Sequence, residues 1–263
     1  MKGLLKKGYI VSLLWLLLHS SHIIANEQST SSAPLRIAVA ANFAPALKQL
    51  LEDFPNKNGI NYQIISAASG TLYQQIKHGA PYDLFLSADT TRPERLENEN
   101  VIVPGSRKTY AFGQLALWSA TGQLENINQL NTFSGYLAIA NPNTAPYGKA
   151  AKQVLQHLSL WSKFQRRVVT GININQTFQQ VRSQAVPMGI VALSQLHINQ
   201  LNGITIPAHY YQPIAQQLVI LKNSKQLKNA QQISDFLLQE ITQTKLKKLG
   251  YLPGEKTNNQ GAL

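Results

Sequence analysis

Four short stretches of this 263-residue chain put small or neutral polar residues where an apolar run meets a helix-like segment. They are Ala41-Asn42, Ala68-Ser69-Gly70, Asn143-Thr144-Ala145-Pro146-Tyr147 and Asn173-Ile174-Asn175. A helix start carries backbone N–H groups without an acceptor and a partial positive charge, which makes it a seat for an anion. Small residues let an anion approach the backbone, and the Asn42 amide and the Ser69 and Tyr147 hydroxyls add side-chain donors. Apart from Lys149, two positions beyond Tyr147, the corners carry no charge. Singly, each reads as an ordinary helix cap, worth about 1 kcal/mol. Together they point to a seat made of neutral donors.

The elements that must position these corners follow from periodicity. "LRIAVAA" is a short apolar strand, and "APALKQLLEDF" sets Leu47, Leu50, Leu51 and Phe54 on one helical face. Pro45 falls in the first turn of that helix, where its missing N–H costs nothing, and Pro55 and Gly59 end it. "INYQIISAA", "YDLFLSA", "QLALWSA", "GYLAIANP", "RRVVTG", "MGIVAL" and "QLVIL" read as strands. "TLYQQIKHG", "TTRPERLENEN", "GKAAKQVLQHL", "NQTFQQVRS" and "AQQISDFLLQEITQ" read as helices. Strands alternating with helices predict parallel βαβ units. The grammar predicts two α/β lobes, one from residues 35–113 with 214–253 and one from 114–213, the chain crossing near 113 and 214. Each lobe is expected to be a mostly parallel sheet flanked by helices, with the ligand in the cleft between them.

The first 25 residues follow another logic. Three lysines in "MKGLLKK", an apolar stretch in "YIVSLLWLLL" and a polar run ending at Ala25 have the order of a secretory signal peptide. The apolar part is shorter than the roughly 20 residues that span a bilayer. Residues 26–34 read as a polar linker and 254–263 as a disordered tail. The chain has no cysteine, which excludes a lipidated Cys anchor and disulfide staples and suits a periplasmic protein held by its core. Its formal charge is +12, and three of the 24 basic groups lie in the leader. The remaining lysines are scattered, without the aromatic-interleaved basic stripe of a nucleic-acid binder. No nucleic-acid partner is expected.

Enzyme signatures are absent. The six histidines show no metal-like spacing, and neither a Gly-x-Ser-x-Gly elbow nor a Gly-Lys-Ser/Thr phosphate loop occurs. Asp83 and Asp89 read as structural strand-end residues. Tyr210 and Tyr211, beside His209, resemble the tyrosine pair of exported ferric-ion-binding proteins, but no acidic residue lies nearby, and their place before "PIAQQLVIL" suits the hinge.

"AVAANFAPAL", "SGTLYQQIKHGAPYDLFLSAD", "NPNTAPYGKAA", "GININQTFQQV" and "GIVALSQ" resemble the molybdate-binding periplasmic proteins of ABC importers, over roughly residues 35–252. That resemblance implies a two-lobed type II periplasmic binding fold that closes on a tetrahedral dianion, molybdate or tungstate, through neutral hydrogen bonds. It implies no cofactor, no metal–protein bond, a monomeric receptor, and permease and ATPase partners. It places the oxyanion contacts at Ala41, Asn42, Ser69, Tyr147 and Ile174, the last through its backbone N–H. Many relatives have serine at Asn42, alanine at Tyr147 and a ligand-contacting tyrosine at Ala192. This chain resembles the branch that combines asparagine and tyrosine. Ferric ion and another oxyanion such as sulfate are the alternative ligands.

Overall fold

A computed structural model describes residues 33–55 and 59–254. The leader, most of the linker and the tail beyond Gly254 lie outside the described residues. The described residues from Pro34 onward form one compact unit, built on two sheets.

The first lobe begins with β1 (Leu35–Ala40), α1 (Ala44–Glu52), β2 (Tyr62–Ala67), α2 (Ser69–Lys77), β3 (Leu84–Ser87), α3 (Thr91–Asn98) and β4 (Lys108–Gly113). After one intervening residue, Gln114, the second lobe starts with β5 (Leu115–Trp118) and α4 (Gln129–Thr132). It continues through β6 (Leu137–Ala140), α5 (Pro146–His157), α6 (Trp161–Phe164), β7 (Val168–Gly171) and α7 (Ile174–Arg182). β8 (Met188–Ala192), α8 (Leu193–Ile198) and β9 (Ile204–Thr205) complete it. The chain then returns to the first sheet with β10 (Ile214–Ile220), α9 (Leu227–Leu238), α10 (Glu240–Lys248) and β11 (Leu252–Pro253). The strand orders are β11-β4-β10-β3-β1-β2 and β7-β6-β8-β5-β9.

The βαβ reading holds for β2-β1-β3 and for β7-β6-β8, whose pairs are parallel. The strands at the crossings make both sheets mixed. β10 runs antiparallel to β3 and β4, and β5 runs antiparallel to β8 and β9. The strand that returns to the first lobe runs opposite to its neighbours, which periodicity within single strands does not reveal. β4 escaped the sequence reading, and the C-terminal helix predicted as one piece is two. Gln239 is extended between α9 and α10, and the Gln243 side chain donates to the Leu237 carbonyl (2.7 Å).

Alternation along the strands explains the layering. Leu35, Ile37 and Val39 face a core with Leu47, Leu50, Ile233 and Leu237, whereas Ala38 and Phe85 face Leu72, Ile76 and Leu96. In the second lobe Leu137 and Ile139 pack on Ala151, Val154 and Leu155, while Ala116, Ala138 and Val191 face Phe178 and Val181. Parallel register carries the corners to common edges. Ala40 pairs with Ala67, and Ala140 with Gly171. The segments after β1 and β2 therefore leave one edge of the first sheet together, and those after β6 and β7 leave one edge of the second.

Candidate oxyanion site

All five residues singled out from sequence line one pocket. Ala41, Asn42, Ser69, Tyr147 and Ile174 share its wall with Ala40, Ala68, Ala88, Ala145, Pro146 and Asn173. Its volume is about 10 Å³, close to the space one water-sized sphere occupies, so the lobes stand closely closed over the donors. Ala192 is not in this wall. Ala41, Ala68 and Ala145 lie in the corners named from sequence, whereas Ala88 was missed, because a buried alanine beyond a strand end carries no local signal.

The donors differ in how they are held. Asn42 is not the cap of α1: the N-cap is Phe43 and makes no side-chain cap bond. Instead the Asn42 amide donates to Gln216 Oε1 (2.8 Å) and makes long contacts to the hydroxyls of Tyr147 (3.4 Å) and Tyr251 (3.5 Å). One amide proton is thus committed to Gln216, and the other has only the long contacts. Nor is Ser69 a cap. It is the first residue of α2, and its Oγ accepts from the Ala88 N–H (2.9 Å), leaving its own proton to donate. Tyr147 lies in the first turn of α5, where backbone N–H groups have no intrahelical acceptor. Its hydroxyl takes the amides of Asn42 and Gln216 (3.4 Å each), so its proton too is unspent. That hydroxyl fits because position 113 is glycine: a Cβ there would lie 2.1 Å from Tyr147 Oη. Ile174 opens α7, behind a true cap in which Asn173 Oδ1 accepts from the Gln176 N–H (3.0 Å). Gln195, missed in the sequence, braces this corner by donating to Asn175 Oδ1 (2.8 Å) and the Ile174 carbonyl (3.2 Å).

Gln216 and two tyrosines behind the wall, Tyr110 and Tyr251, were also missed, since a Gln in a strand and scattered aromatics look like ordinary core. Tyr110, Tyr147 and Tyr251 are all raised above the ordinary value of 10.0, chiefly by burial. They stay neutral and the site stays a set of donors. The sign of the linkage follows. Below pH 10 both folded and unfolded chains keep these protons; above it the unfolded chain loses them first. Each such group then subtracts about 1.4 kcal/mol of stability per pH unit. The thermal midpoint of the unliganded protein is expected to hold through neutral pH and to fall steeply above pH 10. A midpoint that stayed level well past that value would show that the tyrosines ionise in place.

The lobes touch through residues next in sequence to the pocket lining. The Gly70 N–H donates to the Thr144 carbonyl (2.9 Å), and Arg92, paired with Asp89, reaches the Asn143 carbonyl (3.5 Å). A larger cavity of about 620 Å³ adjoins the pocket, sharing Ala88, Ala145 and Pro146 with it. Arg92, Arg95 and Lys149 line it, with Asp89 the one carboxylate among its described residues. Asp83 and Asp89 are structural, as read from sequence. Asp83 accepts from the Arg36 N–H (2.7 Å) and the Ser224 hydroxyl (2.6 Å), and Asp89 holds Arg92. The Tyr211 hydroxyl accepts from the Leu115 N–H (3.2 Å), and Tyr210 stacks on His157 with centroids 4.4 Å apart. Both tie the returning segment to the second lobe. Among the described residues no group of three His, Cys, Asp or Glu could hold a metal ion.

Two α/β lobes closed over a small donor-lined pocket are the architecture of a solute-binding protein. The chain belongs to the bacterial extracellular solute-binding protein family, whose model matches residues 35–252. It is 38% identical over 231 residues to the molybdate-binding protein ModA of Azotobacter vinelandii, covering 85% of this chain and 91% of that protein. It is 37% identical to ModA of Rhodobacter capsulatus, covering 82% and 86% respectively. The solved periplasmic molybdate-binding protein of Azotobacter vinelandii superimposes with a TM-score of 0.79 at 38% identity, over 84% of this chain and all of that one.

Proposed function

We propose that this chain is the exported receptor of an ABC importer, capturing molybdate between its lobes and presenting it to the membrane permease and ATPase. The observation that carries the reading is the convergence of Ala41, Asn42, Ser69, Tyr147 and Ile174, from four separate corners, on one pocket. Molybdate is fully deprotonated at neutral pH, so each oxygen takes a donor and none can give a proton. A pocket of neutral donors accepts such an ion and disfavours hydrogen phosphate, whose proton would find no acceptor. Tungstate has nearly the same size and charge and binds comparably in this reading. Sulfate has the same charge and shape and is smaller, so rejection rests on fit. Ligand touching both lobes favours the closed form through contacts the open form lacks. The leader directs the protein to the periplasm and is cleaved there, and the receptor works as a monomer.

Calorimetric titration with molybdate, tungstate, sulfate, phosphate and ferric ion tests this. Heat with molybdate and tungstate alone is the expected result; binding of ferric ion or sulfate alone would overturn the reading. Within the site, Ser69→Ala removes a donor and leaves the buried Ala88 N–H without its acceptor. Molybdate affinity is expected to fall by about 1–3 kcal/mol. Unchanged affinity would take Ser69 out of the site.

A further inference from the structure

Gln216 lies in the middle of β10, fully buried. Its Oε1 accepts from Asn42 Nδ2 (2.8 Å) and from the Tyr110 hydroxyl (3.1 Å), and its Nε2 donates to the Tyr147 hydroxyl (3.4 Å). The ladder between β10 and β4 slips at this residue. Gln216 opposes Ala111 and Gln217 opposes Thr109, which leaves Tyr110 as the extra residue of a bulge. Bulges re-aim side chains beside functional sites. This one brings Tyr110 and Gln216 to the same point behind Asn42.

A carboxamide can turn either edge to its neighbours, and the oxygen edge of Asn42 would repel a dianion. The surrounding hydroxyls leave little choice. Tyr251 spends its proton on the Asn42 backbone carbonyl (2.8 Å), and Tyr110 donates to Gln216 Oε1 (3.1 Å), the Ser87 carbonyl being the longer contact (3.3 Å). With Gln216 Oε1 held as an acceptor, the group facing it must be the Asn42 NH₂. With Gln216 Nε2 donating to Tyr147, that hydroxyl must send its proton elsewhere.

We propose that Gln216 is a positioning residue that sets the hydrogen-bond polarity of the pocket: it takes one N–H of Asn42 and donates to the Tyr147 hydroxyl, which leaves the second Asn42 N–H and the Tyr147 proton for the oxyanion. It does so across the lobes, because Asn42 and Gln216 belong to the first sheet's lobe and Tyr147 to the second. The proposal rests on the oxyanion reading above and concerns how selectivity for a fully deprotonated ion is built.

The test is titration of the wild-type protein and of Gln216→Glu, Gln216→Leu and Gln217→Met with molybdate, between about pH 5 and pH 9. Gln217 faces the other side of the strand, bonding Thr109 Oγ1 (3.1 Å), and its variant serves as the control. Wild type and control are expected to bind alike at every pH. Gln216→Leu is expected to bind roughly ten- to a hundredfold more weakly, the loss from an unmatched buried donor. Gln216→Glu keeps the shape but sets an oxygen where Nε2 donates. Its affinity is expected to fall as pH rises, approaching about tenfold per unit once the carboxyl ionises, and to recover on acidification. A merely structural role would weaken binding equally at all pH values, and that flat profile would overturn the proposal, as would wild-type affinity in both Gln216 variants. If the Leu variant does not fold, the isosteric Glu variant decides alone. If the wild-type protein binds no oxyanion, the functional reading itself falls, a failure distinct from that of Gln216.

Discussion

Asn42→Asp is expected to abolish oxyanion binding. The substitution is nearly isosteric, but it replaces the one amide that faces both the pocket and Gln216. Two unit charges about 4 Å apart interact by about 4 kcal/mol at an effective dielectric of 20, and a dianion doubles this. The new carboxylate also faces Gln216 Oε1 across what was a 2.8 Å donor bond, so two acceptors meet there. Together these effects put the loss of affinity above about 10⁴-fold. Calorimetry at neutral pH checks it, with the unliganded melting midpoint recorded beside it to separate binding from folding. Binding within tenfold of wild type would remove Asn42 from the site.

The second large effect is expected from Gly70→Val, through closure rather than through the pocket's chemistry. A Cβ at Gly70 would sit 2.9 Å from the Thr144 carbonyl oxygen and 3.1 Å from its Cα, both backbone atoms of the other lobe. Arg92 Nη2, at 2.8 Å, belongs to a flexible side chain and can yield. Gly70 is not among the residues with positive φ, so its own helix takes a side chain without strain. The lobes must therefore part. A wedge of this kind costs about 1–3 kcal/mol, and apparent affinity falls in proportion to the closed fraction. Molybdate binding is expected to weaken roughly ten- to a hundredfold, with faster release in stopped-flow and a larger radius of gyration by small-angle scattering. The unliganded melting midpoint is expected to stay put. Wild-type affinity and release rate would show that the Gly70–Thr144 contact does not limit closure.

Both predictions join a residue visible in the sequence to a partner that was not. Asn42, Ser69, Tyr147 and Ile174 stood out because each sits where a strand pattern gives way to a helix pattern, and such junctions are local. The two-lobed α/β class was legible for the same reason: strand and helix periodicities are properties of ten-residue windows. The order of strands within each sheet was not, because the antiparallel return of β10 depends on where the chain goes over residues 114–213, the second lobe and its connections. Nor was the division of the last helix at Gln239, which depends on Gln243 reaching back to Leu237.

By itself, then, the sequence determined which residues could serve as donors and that they carry no charge. Only the tertiary structure decided how each donor is spent. Asn42 looked like a helix start with a free amide, yet one of its protons is held by Gln216, 174 residues away. The Ser69 hydroxyl is oriented by Ala88 at the end of the next strand, and Tyr147 fits only because Gly113, at the crossing, has no side chain. A hydrogen bond's direction depends on what stands at both ends. Local sequence supplies one end, and the packing of distant strands supplies the other.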